Sequence, residues 1–244
     1  MPASRALAAR LAALFGQSGI VTHETSLGEA GEPLYDEEAA LVANFSEKRR
    51  REFVAGRRCA RRALADLGIT DFPLLAGPDR APLWPGAVVG SITHTEVGAG
   101  GYCGVAVAHR RLVAGLGVDA EPRQPLSPEL WPRVLDAEEG RAALAAAEPG
   151  VWARLIFSAK EAVYKAIYPL CRRFLDFPDV HIQVLPRYGH FLAEFVGAAR
   201  SIAPAGSLVG RFLADDELLI ATVLLPASGS PLAQEGLSLH HVPC

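Results

Sequence analysis

Four strand-like segments crowd the last third of the chain: VHIQVL at 180–185, HFLAEFV at 190–196, SLVGRFL at 207–213 and LLIATVLL at 218–225. Aliphatic, β-branched and aromatic residues dominate them, and the last two are separated only by the polar turn ADDE. Segments in such close succession pair as an antiparallel sheet. Helical sequence precedes them. An Ala- and Glu-rich stretch near 136–147 breaks at Pro149-Gly150, and a second helix is expected to run to about Tyr168, where Pro169 should end it.

The first half repeats the mixture. From Glu37 to Leu67 the pattern is helical, with Phe53, Ala60, Leu64 and Leu67 on one face and Gly68 as the stop. The turn-rich GPDRAPLWPG at 77–86 leads to VVGSI at 88–92, a buried strand by its composition. A second strand, YCGVAVAH, follows at 102–109, and a third runs from Leu112 to Glu121, where Pro122 should stop it. The Pro-rich EPRQPLSPELWP then reads as a crossover or boundary. Each half combines helix and strands, which predicts an α+β protein compatible with two similar lobes, although no sequence repeat proves duplication. The tail after Pro226 is expected to be mobile.

With 244 residues, half of them apolar, the chain can bury a full core. A net charge of −3 argues against a dedicated nucleic-acid binder. The four cysteines form no C-x-x-C pair, so neither a zinc site nor a disulfide framework is expected, and a reducing, cytoplasmic setting follows. Arg5 and Arg10 interrupt the amphipathic first sixteen residues and break any signal-peptide core. No apolar run is long enough to span a bilayer.

Four segments carry chemistry-bearing side chains. In LGVDAEP at 116–122, strand alternation puts Leu116, Val118 and Ala120 on one face and Gly117, Asp119 and Glu121 on the other, so two carboxylates project together. Such a pair is stabilised by a cation between them, but is also what a solvated strand end looks like. In LIFSAKEAVYKAIYP, Ala159, Ala162, Val163 and Ala166 form an apolar stripe, and Glu161 and Lys165 share another face. A carboxylate for an ion and an ammonium for phosphate oxygens suit a metal-bound phosphate site, whereas Ser158-x-x-Glu161 also fits a capping box. In GSITHTEVG, Thr93 and His94 stand at a strand exit. In EKRRREFVAGRRCARR, Arg50, Arg57 and Arg61 form one row and Arg51, Arg58 and Arg62 another, both turned from the apolar face. A solvated helix face is the default for such a run, with a few arginines free to bind anions.

In this order, GRRCARRAL, GSITH, GVDAE and FSAKEAVYK resemble the motifs of the Sfp-type phosphopantetheinyl transferases, the enterobactin synthetase component D branch in particular. The resemblance spans about Phe45 to Val180. It implies two α/β lobes related by a pseudo-twofold in a monomer, an N-terminal lobe of residues 1–115 with nucleotide contacts and a C-terminal lobe of 116–244 with the metal ligands and catalytic helix. Coenzyme A and Mg²⁺ would lie between them. It implies Asp119, Glu121 and Glu161 as metal ligands, and Glu161, Lys165 and His94 as catalytic. Arg50, Arg57, Arg80, Thr93, His94, Lys160 and Lys165 would contact coenzyme A. The partner implied is an apo acyl or peptidyl carrier protein whose serine receives phosphopantetheine. Two rivals remain open on the residues alone. One is another metal-dependent phosphoryl enzyme, although Pro122-Arg123 after Glu121 departs from the common nuclease pattern. The other is a non-catalytic coenzyme A binding module.

Overall fold

The computed structural model describes residues 10–16, 19–202 and 206–235. The chain forms two antiparallel sheets, each crossed by one long helix. In the first lobe, β1 (Ile20–Thr25), β3 (Tyr102–His109) and β2 (Val88–Thr95) lie in the order β1-β3-β2. In the second, β4 (Val113–Pro122), β5 (Val180–Leu185), β6 (His190–Phe195), β7 (Ser207–Ala214) and β8 (Leu218–Pro226) take the order β4-β8-β7-β6-β5. Three strands in one sheet and five in the other make the lobes similar in plan but unequal in size.

The predicted helix over 37–67 is two helices, α2 (Asp36–Leu41) and α3 (Glu47–Asp66), α1 being Arg10–Phe15. Ser46 restarts the chain: its Oγ accepts from Arg49 N at 3.3 Å as an N-cap, which lets α3 set off in its own direction. Short α4 (Trp131–Val134) and α5 (Ala137–Ala145) precede α6 (Pro149–Cys171), whose Ala159, Ala162, Val163 and Ala166 are fully buried against the five-stranded sheet. As expected, α5 ends before Pro149-Gly150 and a second helix follows; Pro149 itself starts α6, as the first helical position needs no N–H. Pro169 does not end it. In the last turn a proline leaves only one carbonyl without its usual donor, and the helix continues to Arg172, a left-handed C-cap at φ 53°.

Of the tail expected to be mobile, residues 227–235 are described and 236–244 lie outside the described residues. After β8 the chain forms α7 (Pro231–Glu235), with Leu232 5% exposed and packed with Leu11, Leu14 and Phe15 of α1. Residues 1–9 of the amphipathic start lie outside the described part.

Among the described residues no main-chain ladder joins the two sheets. At the seam, β2 presents hydroxyls to β4: Ser91 Oγ accepts from Val118 N at 3.0 Å and Thr93 Oγ1 from Ala120 N at 2.9 Å. These side chains satisfy buried donors on the edge of β4 that faces away from β8.

A second device occurs once in each lobe. Glu38 of α2 and Glu139 of α5, each 1% exposed, fold back on their own N-termini, accepting from Tyr35 N at 3.1 Å and Asp136 N at 2.8 Å. Each then ties down a distant backbone N–H, Leu74 at 2.9 Å and Ile182 at 2.7 Å, and a cation from the long helix, Arg61 at 3.0 Å and Lys160 at 2.8 Å. With this many donors the lone pairs of each buried carboxylate are satisfied. The segments LYDEE and LDAEE at 34–38 and 135–139 are its sequence trace.

Candidate active site

The face of β4 that meets α6 reads glycine, glycine, aspartate, glutamate at alternate positions 115, 117, 119 and 121. The glycines set the distance. A Cβ on Gly117 would sit 1.9 Å from the Ala162 carbonyl oxygen, and one on Gly115 2.5 Å from that of Ala166. Only bare backbone lets the helix come this close. Asp119 and Glu121 then emerge beside the helix rather than under it.

Facing them, α6 offers Arg154, Ser158, Glu161 and Lys165, spaced by 4, 3 and 4 along one side of the helix. Asp119 Oδ2 accepts from Ser158 Oγ and Oδ1 from Lys165 Nζ, both at 2.8 Å. Glu121 Oε2 accepts from Arg154 Nη1 at 2.6 Å, and Arg154 is held by the carbonyls of Gln124 at 2.7 Å and Pro125 at 3.0 Å. Glu161 makes no side-chain hydrogen bond or ion pair among the described residues. Burial first, then the Asp119 charge, raises its pKa, with Lys165 opposing; the same two causes raise that of Glu121, opposed chiefly by Arg154. The three carboxyls thus share one electrostatic environment centred on Asp119.

Ser158 does not cap a helix. It is fully buried in mid-helix and serves Asp119. The convergence of the three acids is also looser than expected: among the described residues, only Asp136, Glu139 and His181 bring three ligand atoms within 4.8 Å of one another. Lys165 draws Asp119 and Arg154 draws Glu121. The Asp136 cluster is no ion site in character, because its carboxylate oxygens already accept from Glu138 N, Glu139 N, His181 Nδ1, Asp136 N, Lys160 and Ile182 N. The Asp119 group fits a hard divalent ion better, with three oxygen donors, two of them at raised pKa and one without a partner.

Across the seam, a cavity of about 690 Å³ opens between α3, β2 and the loop at 76–82, lined by Arg49, Arg57, Arg80 and His94 among others. Arg57 is 6% exposed, its guanidinium 4.0 Å from the Phe53 ring centre and its buried Nε without a partner. Burial, only partly opposed by the Glu38 charge, pulls its pKa down to about 10, so it stays charged at neutral pH, and it makes no ion pair among the described residues. Arg49 Nη1 donates to Glu52 Oε2 at 3.1 Å and to His94 Nε2 at 3.2 Å. Since arginine can only donate, that imidazole is neutral with its proton on Nδ1. Burial lowers the His94 pKa, Glu52 opposing and Arg49, then Lys165, reinforcing; Asp119 also reaches it. His94 therefore lies where the cationic cavity meets the acidic face.

Three of the expected coenzyme A contacts are engaged elsewhere in the structure. Lys160 is 4% exposed and spends its ammonium on Val134 O and Glu139 Oε2 at 2.8 Å and Phe177 O at 3.0 Å. One residue from Glu161, it leaves the helix in another direction, and three acceptors exhaust its protons. Thr93 belongs to the β2–β4 seam, and both it and His94 lie inside β2 rather than at its exit. Arg50 donates to Val42 O at 3.3 Å and does not line the cavity. Nor are the arginine rows uniformly solvated, since Arg57 is buried and Arg61 lies 4.0 Å over the Tyr35 ring. The residues missed are Arg49, Glu52, Arg154 and Ser158. Their signal was helical spacing, Arg49 with Glu52 and Arg57, and Arg154-Ser158-Glu161-Lys165.

A carboxylate face with a lysine, continuous with an arginine-lined hollow, carries the groups that an enzyme acting on an anionic phosphate donor needs. Comparison with known proteins names the family. The model of the 4'-phosphopantetheinyl transferase N-terminal domain matches residues 37–108, and that of the 4'-phosphopantetheinyl transferase superfamily matches 115–220. The chain is 43% identical over 212 residues to the 4'-phosphopantetheinyl transferase Svp of Streptomyces mobaraensis, covering 83% of this chain and 82% of Svp. It is 38% identical over 198 residues to PptT of Mycobacterium tuberculosis, covering 78% and 85%. Enterobactin synthase component D of Salmonella typhimurium matches at 38% over 126 residues, about half of each chain at 51%, so the Svp and PptT likenesses extend further. The chain belongs to the 4'-phosphopantetheinyl transferases, enzymes that transfer 4'-phosphopantetheine from coenzyme A to a carrier-protein serine.

Proposed function

We propose that the cavity between α3, β2 and the 76–82 loop takes the nucleotide end of coenzyme A, that its pyrophosphate passes His94, and that the acidic face of β4 and α6 performs the transfer. The observation that carries this reading is the continuity of the two regions at His94, whose surroundings include Arg49 on one side and Lys165 and Asp119 on the other. Arg57, with a charged guanidinium and no ion pair among the described residues, is suited to a phosphate at the nucleotide end, and Arg80 lines the same cavity. The division into a nucleotide lobe at 1–115 and a catalytic lobe at 116–244 follows from the same reading.

Asp119, Glu121 and Glu161 would hold Mg²⁺, which supplies neutralisation of the pyrophosphate charge. The remaining work falls to the chain itself. The carrier serine Oγ attacks the pantetheine-side phosphorus, the bond from that phosphorus to the bridging oxygen breaks, and adenosine 3',5'-bisphosphate leaves. Glu161, partly buried and without a hydrogen-bond partner among the described residues, accepts the serine proton. Lys165, anchored on Val118 O and Asp119, stabilises negative charge growing on the leaving phosphate, and His94 with Arg49 does so from the other lobe. The substrate is an apo acyl or peptidyl carrier protein. Three free cysteines among the described residues support a reducing, cytoplasmic setting, and no described helix is long and apolar enough to cross a membrane. The reading includes action as a monomer.

The test is incubation with coenzyme A, Mg²⁺ and an apo carrier, followed by intact-mass measurement. One phosphopantetheine per carrier is expected, lost on chelation and restored by Mg²⁺. Glu161→Gln should abolish transfer more thoroughly than it weakens coenzyme A binding, and near-normal turnover of that variant would refute its role.

A further inference from the structure

The lobes meet again at the tip of the loop that carries Arg80. Gly77 N donates to Ala81 O and Arg80 N to Gly77 O, both at 2.9 Å, which closes a tight turn. Two adjacent side chains leave this tip on different errands. Arg80 lines the cavity, whereas Asp79 reaches the C-terminal end of α6. There Asp79 Oδ2 accepts from the Tyr168 hydroxyl at 2.8 Å and from Arg172 Nη1 at 3.0 Å, and its Oδ1 accepts from Ala81 N at 3.1 Å.

Arg80 has φ 65°, a left-handed conformation that a side chain with a Cβ adopts only when its surroundings impose it. The Asp79 contacts supply that imposition from the far lobe. At the other end the tyrosine is backed by Tyr164, ring centres 5.2 Å apart. An isolated exposed ion pair would be worth little. The Arg172 side chain is 64% exposed and that of Asp79 25%, so the pair alone is weak; what sets it apart is that one carboxylate takes three donors and spans two lobes.

We propose that Asp79, Tyr168 and Arg172 form an interlobe clasp that positions the Arg80 loop as a wall of the coenzyme A cavity, a reading that rests on the cavity taking coenzyme A. Tyr168 lies three residues beyond Lys165 on the same helix, so the clasp fixes the wall at the nucleotide end relative to the face that handles the pyrophosphate. The three are positioning residues: none reaches the reacting atoms. Opening the clasp frees the Arg80 loop and weakens coenzyme A binding, while turnover at saturating coenzyme A persists.

Asp79→Ala would also remove the turn bond to Ala81, so the decisive variants are Tyr168→Phe and Arg172→Gln, singly and together. The double variant should raise KM for coenzyme A about tenfold, or about 1.4 kcal/mol, with kcat and the melting curve of the ligand-free protein close to wild type. Adding Asp79→Ala to it should change KM little further. An unchanged KM for coenzyme A overturns the clasp, as does a rise confined to KM for the carrier or a loss of stability alone. Arg57→Gln, measured alongside, separates the two levels. If it raises KM and the clasp variants do not, the clasp alone falls; if it too changes nothing, the assignment of the cavity falls with it.

Discussion

Gly117→Ala places one methyl group where β4 and α6 touch. The new Cβ would lie 1.9 Å from Ala162 O and 2.9 Å from Ala166 N, against ordinary contact from 3.4 Å, so strand and helix must separate by about 1.5 Å. The atom it meets is helix backbone, which cannot rotate aside. Overpacking of this kind costs about 1–3 kcal/mol. The larger consequence is for Asp119, two residues along the same face. Its bonds to Ser158 and Lys165, both 2.8 Å, would stretch past hydrogen-bonding range, and Glu161 would retreat with the helix. A 1 Å misplacement of reacting groups costs about 100-fold in rate, so kcat should fall by at least about that factor. Gly140→Ala is the control: nothing lies within 4 Å of its Cβ, and alanine in a helix interior should be neutral or stabilising by up to about 1 kcal/mol. Thermal melts and single-turnover transfer to an apo carrier, read by intact mass, would measure both variants. Wild-type rates in folded Gly117→Ala would refute the idea that close approach of bare backbone sets the site.

Other substitutions separate scaffold from chemistry. Lys160→Met should cost about 3–5 kcal/mol by leaving Glu139 buried without its cation, visible as a lowered denaturation midpoint, while the folded fraction keeps its turnover; selective loss of kcat would return Lys160 to the active site. Thr93→Val should destabilise by about 1–3 kcal/mol through the orphaned Ala120 N–H, with coenzyme A affinity by calorimetry unchanged and Thr93→Ser near wild type. A carboxyl whose folded pKa is raised contributes stability below its unfolded pKa that is lost as pH rises through the folded one. Glu161 should therefore add a falling component to the stability of the metal-free protein as pH rises from 4.5, the ordinary glutamate value, through its raised folded pKa, and Glu161→Gln should remove that component; a pH dependence of melting identical in the variant would contradict a strained Glu161.

Much of this site was legible in the chain. Alternation in LGVDAEP gave the shared face of Asp119 and Glu121, and helical spacing gave Glu161 beside Lys165. What escaped has a common cause: one-dimensional spacing says which face a side chain occupies, not what stands opposite. Ser158 looked like a cap because a polar residue three before a glutamate satisfies that rule, yet its partner comes from a strand 39 residues away. Lys160 and Thr93 sit in motifs whose neighbours act, but each meets a buried acceptor or donor that only the fold supplies. Arg49 was hidden in a run of basic residues, where its pairing with Glu52 carried no more weight than that of Lys48 with Glu52 or of Arg50 and Arg51 with Glu47. Helix limits failed where one local rule was applied without its position, as at Pro169.

The matching Glu38 and Glu139 brackets bear on how the enzyme is put together. Laid over one another from Arg61 and Lys160, the two long helices match Ala60 with Ala159, Ala63 with Ala162 and Leu64 with Val163, all buried. At the places of Glu161 and Lys165, however, the first helix carries Arg62 and Asp66, opposite in sign, bonded to Glu29 at 3.1 Å and His23 at 2.8 Å. The two helices thus share a buried pattern, and the residues proposed to react fall where the patterns differ. Engineering that made the halves more alike would be expected to keep a folded protein and extinguish the enzyme.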